Sequence, residues 1–170
     1  DPKRYSEPLQ LLSASESDTR IRELVLGGLE DRTVPWPTRL GPALRTRGFA
    51  AELERLMART RALGLDPVDL AAAGAAAGRA DWQASAQFFE EYLDVLDAQN
   101  FIDYAELVHR AGLIVGDPAC QPALRERFGF VIVDEYQDTD PAQVALLRGL
   151  AGDGRDLVVV GDPDQAIYAF

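Results

Sequence analysis

The chain has 170 residues, 47% hydrophobic and 26% charged, which fits one ordinary globular domain, or one with a sizeable insertion, and excludes a disordered chain. A net charge of −11 argues against non-specific DNA binding by bulk charge, and no apolar run approaches the ~18 residues of a membrane helix. One cysteine, Cys120, rules out an internal disulfide, and with one histidine, His109, a zinc site is not expected.

The start, Asp1-Pro2-Lys3-Arg4, has no signal-peptide pattern and no initiator Met. The expectation is an excised piece of a longer protein from a reducing cytoplasm. Leu9 to Leu12 reads as a short strand. Ser17 or Asp18 then caps a helix whose apolar face is Ile21, Leu24, Val25 and Leu29. Val34-Pro35-Trp36-Pro37 is not helical, because each Pro also restricts the residue before it. Phe49, Leu53, Leu56, Met57 and Leu63 recur at helical spacing, with Gly64 as the stop. Asp66-Pro67 opens a short helix. The Ala/Gly-rich stretch from Ala71 to Ala80 reads as a small loop or a tight helix contact. Asp81 is expected to cap a helix with Trp82, Ser85, Phe89, Leu93 and Leu96 as its core stripe.

After Asn100 the grammar changes. Asp103 to Val115 reads as an amphipathic helix with Tyr104, Leu107, Val108, Ala111 and Ile114 inward, and Pro118 to Phe128 as another. Phe130 to Val133 is an apolar run without alternation, which suits a strand buried on both faces of a parallel sheet. Asp140-Pro141-Ala142-Gln143 has the residues of a helix start, with Asp as cap, Pro first and Gln third. That helix ends near Gly152, and Leu157 to Val160 is a second apolar strand. Strand, helix and strand over about 30 residues make a βαβ unit. The expected fold class is therefore α/β, a mainly helical N-terminal part followed by a parallel βαβ core.

Charge is uneven along this order. Residues 1–100 carry 12 basic and 16 acidic side chains, and residues 101–170 carry 5 and 12. One window runs the other way: Arg39, Arg45, Arg47, Arg55, Arg59 and Arg61 face only Glu52 and Glu54. It reads either as a solvated helix face or as a phosphate-contacting patch. Arg55 and Arg59, four apart on one face, are the best candidates for phosphate contacts.

Both strands of the βαβ unit end in acids. The first runs into Asp134-Glu135, and the second into Gly161-Asp162-Pro163-Asp164-Gln165. Ligands bind outside the C-terminal ends of parallel strands, and a right-handed crossover puts both ends on one edge. There an Asp can hold Mg²⁺ through its water shell, and a Glu can take a proton from water. Four apolar residues followed by Asp-Glu form a Walker B pattern. The plain alternative is a strand followed by an acidic turn.

Asp134-Glu135-Tyr136-Gln137-Asp138-Thr139 resembles motif II (DEYQDT) of the UvrD/Rep/PcrA superfamily 1 DNA helicases. Val160 to Phe170 resembles their motif III (GDxDQxIYxF), and Phe101 to Leu107 is similar to the segment that precedes motif II there. The strong resemblance covers Phe130 to Phe170. Trp36 to Arg47 and its Arg-rich sequel are most similar to actinobacterial helicase–nuclease subunits of the AdnAB type.

The resemblance implies a RecA-like core. Residues 1–12 would be a residual segment of domain 1A, 13–100 a helical accessory subdomain like 1B, and 101–170 the part of 1A with motifs II and III. It implies Asp134 as Mg²⁺ ligand of Mg-ATP, Glu135 as general base, and Gln165 as the γ-phosphate contact. Tyr168 and Phe170 would stack near single-stranded DNA, with a packed core position as the alternative for each. Gln137 and Asp138 would support the site. Implied partners are single-stranded and duplex DNA, a P-loop region and a second RecA-like domain, with no membrane. Lys3 is the only lysine and follows Pro2, so the chain holds no P-loop and is expected to be inactive alone. The alternative is a non-catalytic scaffold or a DNA- or protein-binding module derived from a helicase core.

Overall fold

A computed structural model describes residues 8–152 and 156–166. Tyr168 and Phe170 lie outside the described residues. The elements run β1 (Gln10–Leu11), α1 (Ala14–Asp31), α2 (Arg47–Ala62), α3 (Pro67–Ala76), α4 (Ala80–Ala98), β2 (Phe101–Ile102), α5 (Tyr104–Gly116), α6 (Gln121–Arg127), β3 (Val131–Val133), α7 (Pro141–Ala151) and β4 (Leu157–Val159). They divide into two units. One runs up to Arg61 and includes Leu65–Tyr104; the other holds Ala62–Gly64 and the residues from Ala105 onward.

In the first unit the cap of α1 lies four residues before Ser17. Ser13 is its cap: the Ser13 side chain accepts from the Glu16 backbone N–H, and the Glu16 carboxylate accepts from the Ser13 N–H at 2.8 Å. This reciprocal box satisfies two orphan donors, so Ser17 falls inside the helix and is buried. The other end closes with Arg32 in the left-handed region. Trp36 N–H bonds to Val34 O, and Val34-Pro35-Trp36-Pro37 stays outside any helix.

α2 turns Leu53 and Met57 inward and ends before Gly64, whose φ of +73° needs a residue without a Cβ. α3 opens at Asp66-Pro67 and continues to Ala76, so the Ala-rich stretch is mostly helix. It packs tightly on α4: a Cβ at Gly74 would lie 3.0 Å from both Gln83 N and Trp82 Cβ. The core of this unit joins Ile21 and Val25 of α1, Leu53 and Met57 of α2, and Phe88, Phe89, Tyr92 and Leu96 of α4. Trp36 meets Phe49 edge-on at 5.2 Å. The expected stripe thus omitted Phe88 and Tyr92. The Tyr92 hydroxyl donates to Asp103 Oδ2 at 3.0 Å, and burial pushes the phenol well above its ordinary range. β1 and β2 pair in parallel, Gln10 with Phe101.

Asp81 does not cap α4. The helix begins at Ala80, and Asp81 sits in its first turn. Its carboxylate is taken up by arginines instead: Arg79 Nε and Nη2 donate at 2.9 and 2.6 Å, and Arg39 Nη2 lies 2.9 Å away. The Arg79 hydrogen bonds, more than the Arg39 charge, hold the Asp81 carboxyl down at about 2. A depressed carboxylate contributes stability above its unfolded value near 4, and that contribution is lost as pH falls toward 2. Wild type is therefore expected to be more stable than Asp81→Asn at pH 6, with the gap closing between about pH 4 and pH 2. Urea unfolding at stepped pH reads this directly; a gap that persists at pH 2 would refute the ion-pair account.

The second unit contains the βαβ arrangement. β3 and β4 are parallel, in the register Val131 with Leu157, Ile132 with Val158 and Val133 with Val159. α7 between them starts at Asp140, whose carboxylate accepts from Gln143 N–H at 2.7 Å while Gln143 Oε1 accepts from Asp140 N–H. α6 precedes β3, and Gly152 (φ +61°) ends α7 against the Arg125 guanidinium. Two expectations are corrected here. Tyr104, Leu107 and Ile114 of α5 are exposed, and the buried positions are Glu106, His109 and Val115. The β strands are not buried on both faces: Ile132 is 69% exposed and Val158 is exposed opposite it. No helix among the described residues is long and apolar enough to cross a membrane.

Candidate active site

The ladder between the strands runs past their assigned ends. Val160 N–H donates to Val133 O at 2.8 Å, and Tyr136 N–H donates to Val160 O at 2.9 Å. Asp134-Glu135 and Gly161-Asp162 therefore emerge together at one edge, as the βαβ reading requires.

The chain bends at once after β3. Glu135 takes φ 53° and ψ 40°, the left-handed region, which costs a non-glycine residue about 1–3 kcal/mol. Neighbours hold it there. Glu135 N–H donates to Asp134 Oδ1 at 2.9 Å, and Asp138 N–H donates to Glu135 O at 3.0 Å, closing a 3₁₀ turn over Tyr136–Asp138. Both acids are exposed at the edge.

Gln137 spans the two loops. Its Oε1 accepts from Asp162 N–H at 3.0 Å, and its Nε2 donates to Glu135 Oε2. The approach is close enough to require Gly161: a Cβ there would lie 2.5 Å from Gln137 Oε1 and 3.1 Å from Tyr136 N. Gln165, on a 3₁₀ turn over Pro163–Gln165, donates from Nε2 to Asp162 Oδ2 at 2.8 Å. Asp162 Oδ1 accepts from Asp164 N–H at 3.0 Å. The Gln165 bond, then the Asp164 amide, lowers the Asp162 pKa below its ordinary value. Asp138 has a buried carboxylate oxygen, Oδ1, with no hydrogen-bond partner among the described residues.

So the structure brings Asp134, Glu135, Gln137, Asp162 and Gln165 to one edge. Sequence reasoning missed Asp162 as the residue holding Gln165, and Gln137 as the link between the loops. A glycine directly after an apolar strand was the available signal, since it marks a close backbone approach.

The donor set suits Mg²⁺ in one specific way. Among the described residues no group of three or more His, Cys, Asp or Glu can hold a metal. Mg²⁺ needs no such cage: it keeps water and binds one or two carboxylates plus substrate phosphates. A single exposed carboxylate at Asp134 fits that pattern.

The arginine window lies in the first unit, and its members differ. Arg61 is buried and bonds Asp66 Oδ1 at 2.5 Å. Arg39 is held by Asp81, and Arg55 lies 2.8 Å from Glu52 while staying exposed. Arg45, Arg47 and Arg59 are exposed.

Residues 4–170 match the family described as the UvrD/REP helicase N-terminal domain. DNA helicase II of Escherichia coli is 40% identical over 90 residues, which cover 52% of this chain and 12% of that protein. ATP-dependent DNA helicase UvrD1 of Mycobacterium bovis is 42% identical over 96 residues, again 52% of this chain and 12% of the relative. UvrD2 of the same species is 40% identical over 75 residues, 44% of this chain and 11% of the relative. The matched stretch thus spans a small part of each relative, whereas the family match spans nearly the whole chain. The chain belongs to the UvrD/REP helicase N-terminal domain family.

Proposed function

We propose that this chain is a segment of an ATP-dependent DNA helicase that couples Mg-ATP hydrolysis to movement on single-stranded DNA and duplex unwinding, in repair or recombination in the cytoplasm. The observation that carries the reading is the shared edge where Glu135 and Gln165 are joined through Gln137 and Asp162. Glu135 takes a proton from water. The water oxygen bonds to the γ-phosphorus as the bond to the bridging oxygen breaks, giving ADP and phosphate. Asp134 holds Mg²⁺, which when bound neutralises phosphate charge. Gln165 leaves Asp162 to meet the γ-phosphate. Tyr168 and Phe170 stack on bases, each contact worth ~1–3 kcal/mol.

The domain assignment is part of this proposal. Residues 1–12 and 101–170 belong to domain 1A, and 13–100 form the accessory subdomain. The parallel pairing of Gln10 with Phe101 supports placing both flanks of the helical insertion in one sheet. The P-loop and the second RecA-like domain come from other parts of the full-length protein.

The test compares this chain with the full-length protein. Only the latter is expected to hydrolyse ATP when Mg²⁺ and single-stranded DNA are supplied. Hydrolysis by this chain alone would overturn the reading. The same protein tests the arginine patch. A strand of DNA feels charges within a Debye length of ~8 Å, so exposed arginines close to it count for more than distant acids. Replacing Arg55 and Arg59 by Ala is expected to weaken duplex binding and flatten its salt slope by about 1 per lost phosphate contact. An unchanged slope would make the patch ordinary surface.

A further inference from the structure

We propose that Gln137 is a positioning residue that fixes the Glu135 carboxylate to the backbone of Asp162, so that the loop carrying Gln165 sets where the base points. The proposal rests on the reading of Glu135 as general base.

The chemistry of the contact allows one arrangement. Asp162 N–H is an obligate donor, so the atom of Gln137 facing it is the amide oxygen, 3.0 Å away. The amide nitrogen must then face Glu135, where it donates to Oε2. Glu135 Oε2 is held, and its other oxygen is left for water. A side chain that does both jobs needs a donor and an acceptor at fixed separation. Glu has no donor when ionised, and Asn is one methylene shorter.

The surroundings are built around this amide. Gly161 leaves no room for a Cβ against Gln137 Oε1. Glu135 takes its left-handed conformation at the start of the 3₁₀ turn that carries Gln137, and its Oε2 accepts from Gln137 Nε2. From Asp162 the chain of bonds continues to Gln165 at 2.8 Å. Glu135, Gln137, Asp162 and Gln165 therefore form one hydrogen-bonded line across the two loops. When Gln165 lets go of Asp162, the anchor of Gln137 is freed to shift, and the base shifts with it. Misplacing a reacting group by about 1 Å can cost on the order of 100-fold.

The test uses the full-length protein with two substitutions. Gln137→Ala removes both contacts. Gln137→Glu keeps the acceptor toward Asp162 N–H, loses the donor to Glu135 and adds a like charge beside it. Both are expected to lower kcat for ATP roughly 10- to 100-fold while KM stays within about twofold, because alignment and not nucleotide binding is lost. Amide exchange at Asp162 is expected to accelerate in Gln137→Ala and to stay near wild type in Gln137→Glu. A Gln137→Glu protein with undiminished kcat would overturn the proposal. So would a KM that rises with no loss of kcat, which marks a binding role. A Glu135→Gln protein at full rate overturns the underlying assignment instead, and separates that failure from this one.

Discussion

Glu135→Gln in the full-length protein is expected to bind ATP as wild type does and to lose hydrolysis by about 10²- to 10⁴-fold, the usual contribution of a positioned general base. That loss equals roughly 3–5 kcal/mol of barrier. The substitution isolates proton transfer. Gln has the same length and shape, its amide oxygen still accepts from Gln137 Nε2, and a left-handed turn at this position strains it no more than Glu. Asp134 keeps its carboxylate, so the proposed Mg²⁺ ligand is unaltered. Single-turnover hydrolysis and equilibrium binding of nucleotide, measured on one preparation, separate the two effects. Undiminished turnover would sink the base assignment, and lost binding would show that Glu135 holds the nucleotide rather than the proton.

The largest stability effect is expected at Phe88→Ala. Phe88 is 1% exposed in the middle of α4 and lies 6.2 Å from the Trp36 ring, inside the cluster formed with α1 and α2. Truncation removes the transfer free energy of the ring and leaves a cavity that three helices can only partly close, at about 3–5 kcal/mol. Against a total near 5–15 kcal/mol for a domain, that is a large fraction. Both tryptophans, Trp36 and Trp82, lie in the first unit, so their fluorescence during urea unfolding reports that unit by itself. Val68→Ala is the matched control in the same unit: the side chain is apolar but 70% exposed, so its cost should stay within about 0.5 kcal/mol. A Phe88→Ala cost as small as the control's would remove α4 from the centre of the core.

How much of this was legible in the sequence depends on how far each interaction reaches along the chain. The α7 start was legible because Asp140, Pro141 and Gln143 satisfy one another within four residues. The α1 cap was equally local, since Ser13 and Glu16 stand three apart. It was misplaced because the apolar periodicity begins only at Ile21, which drew the expected start to Ser17 or Asp18. The Asp81 assignment failed for another reason. Its carboxylate is claimed by Arg39, forty-two positions away, as well as by its neighbour Arg79. On α5 the apolar residues outnumber those the fold can cover, so periodicity alone could not choose the buried face.

The helices, the parallel βαβ unit and the two acidic strand ends were legible in the sequence, because propensity, caps and apolar runs act within a few residues; β2 was not. How the site is built was set by contacts distant in the chain. Directly after the left-handed turn at Glu135, Tyr136 N–H bonds to Val160 O on the other strand. The Gln137 bridge closes over 25 residues to Asp162 and needs the missing Cβ of Gly161 beneath it. Such bonds form only after the crossover has brought the two strand ends together; Gly161 signals a close approach there but not which side chain makes it.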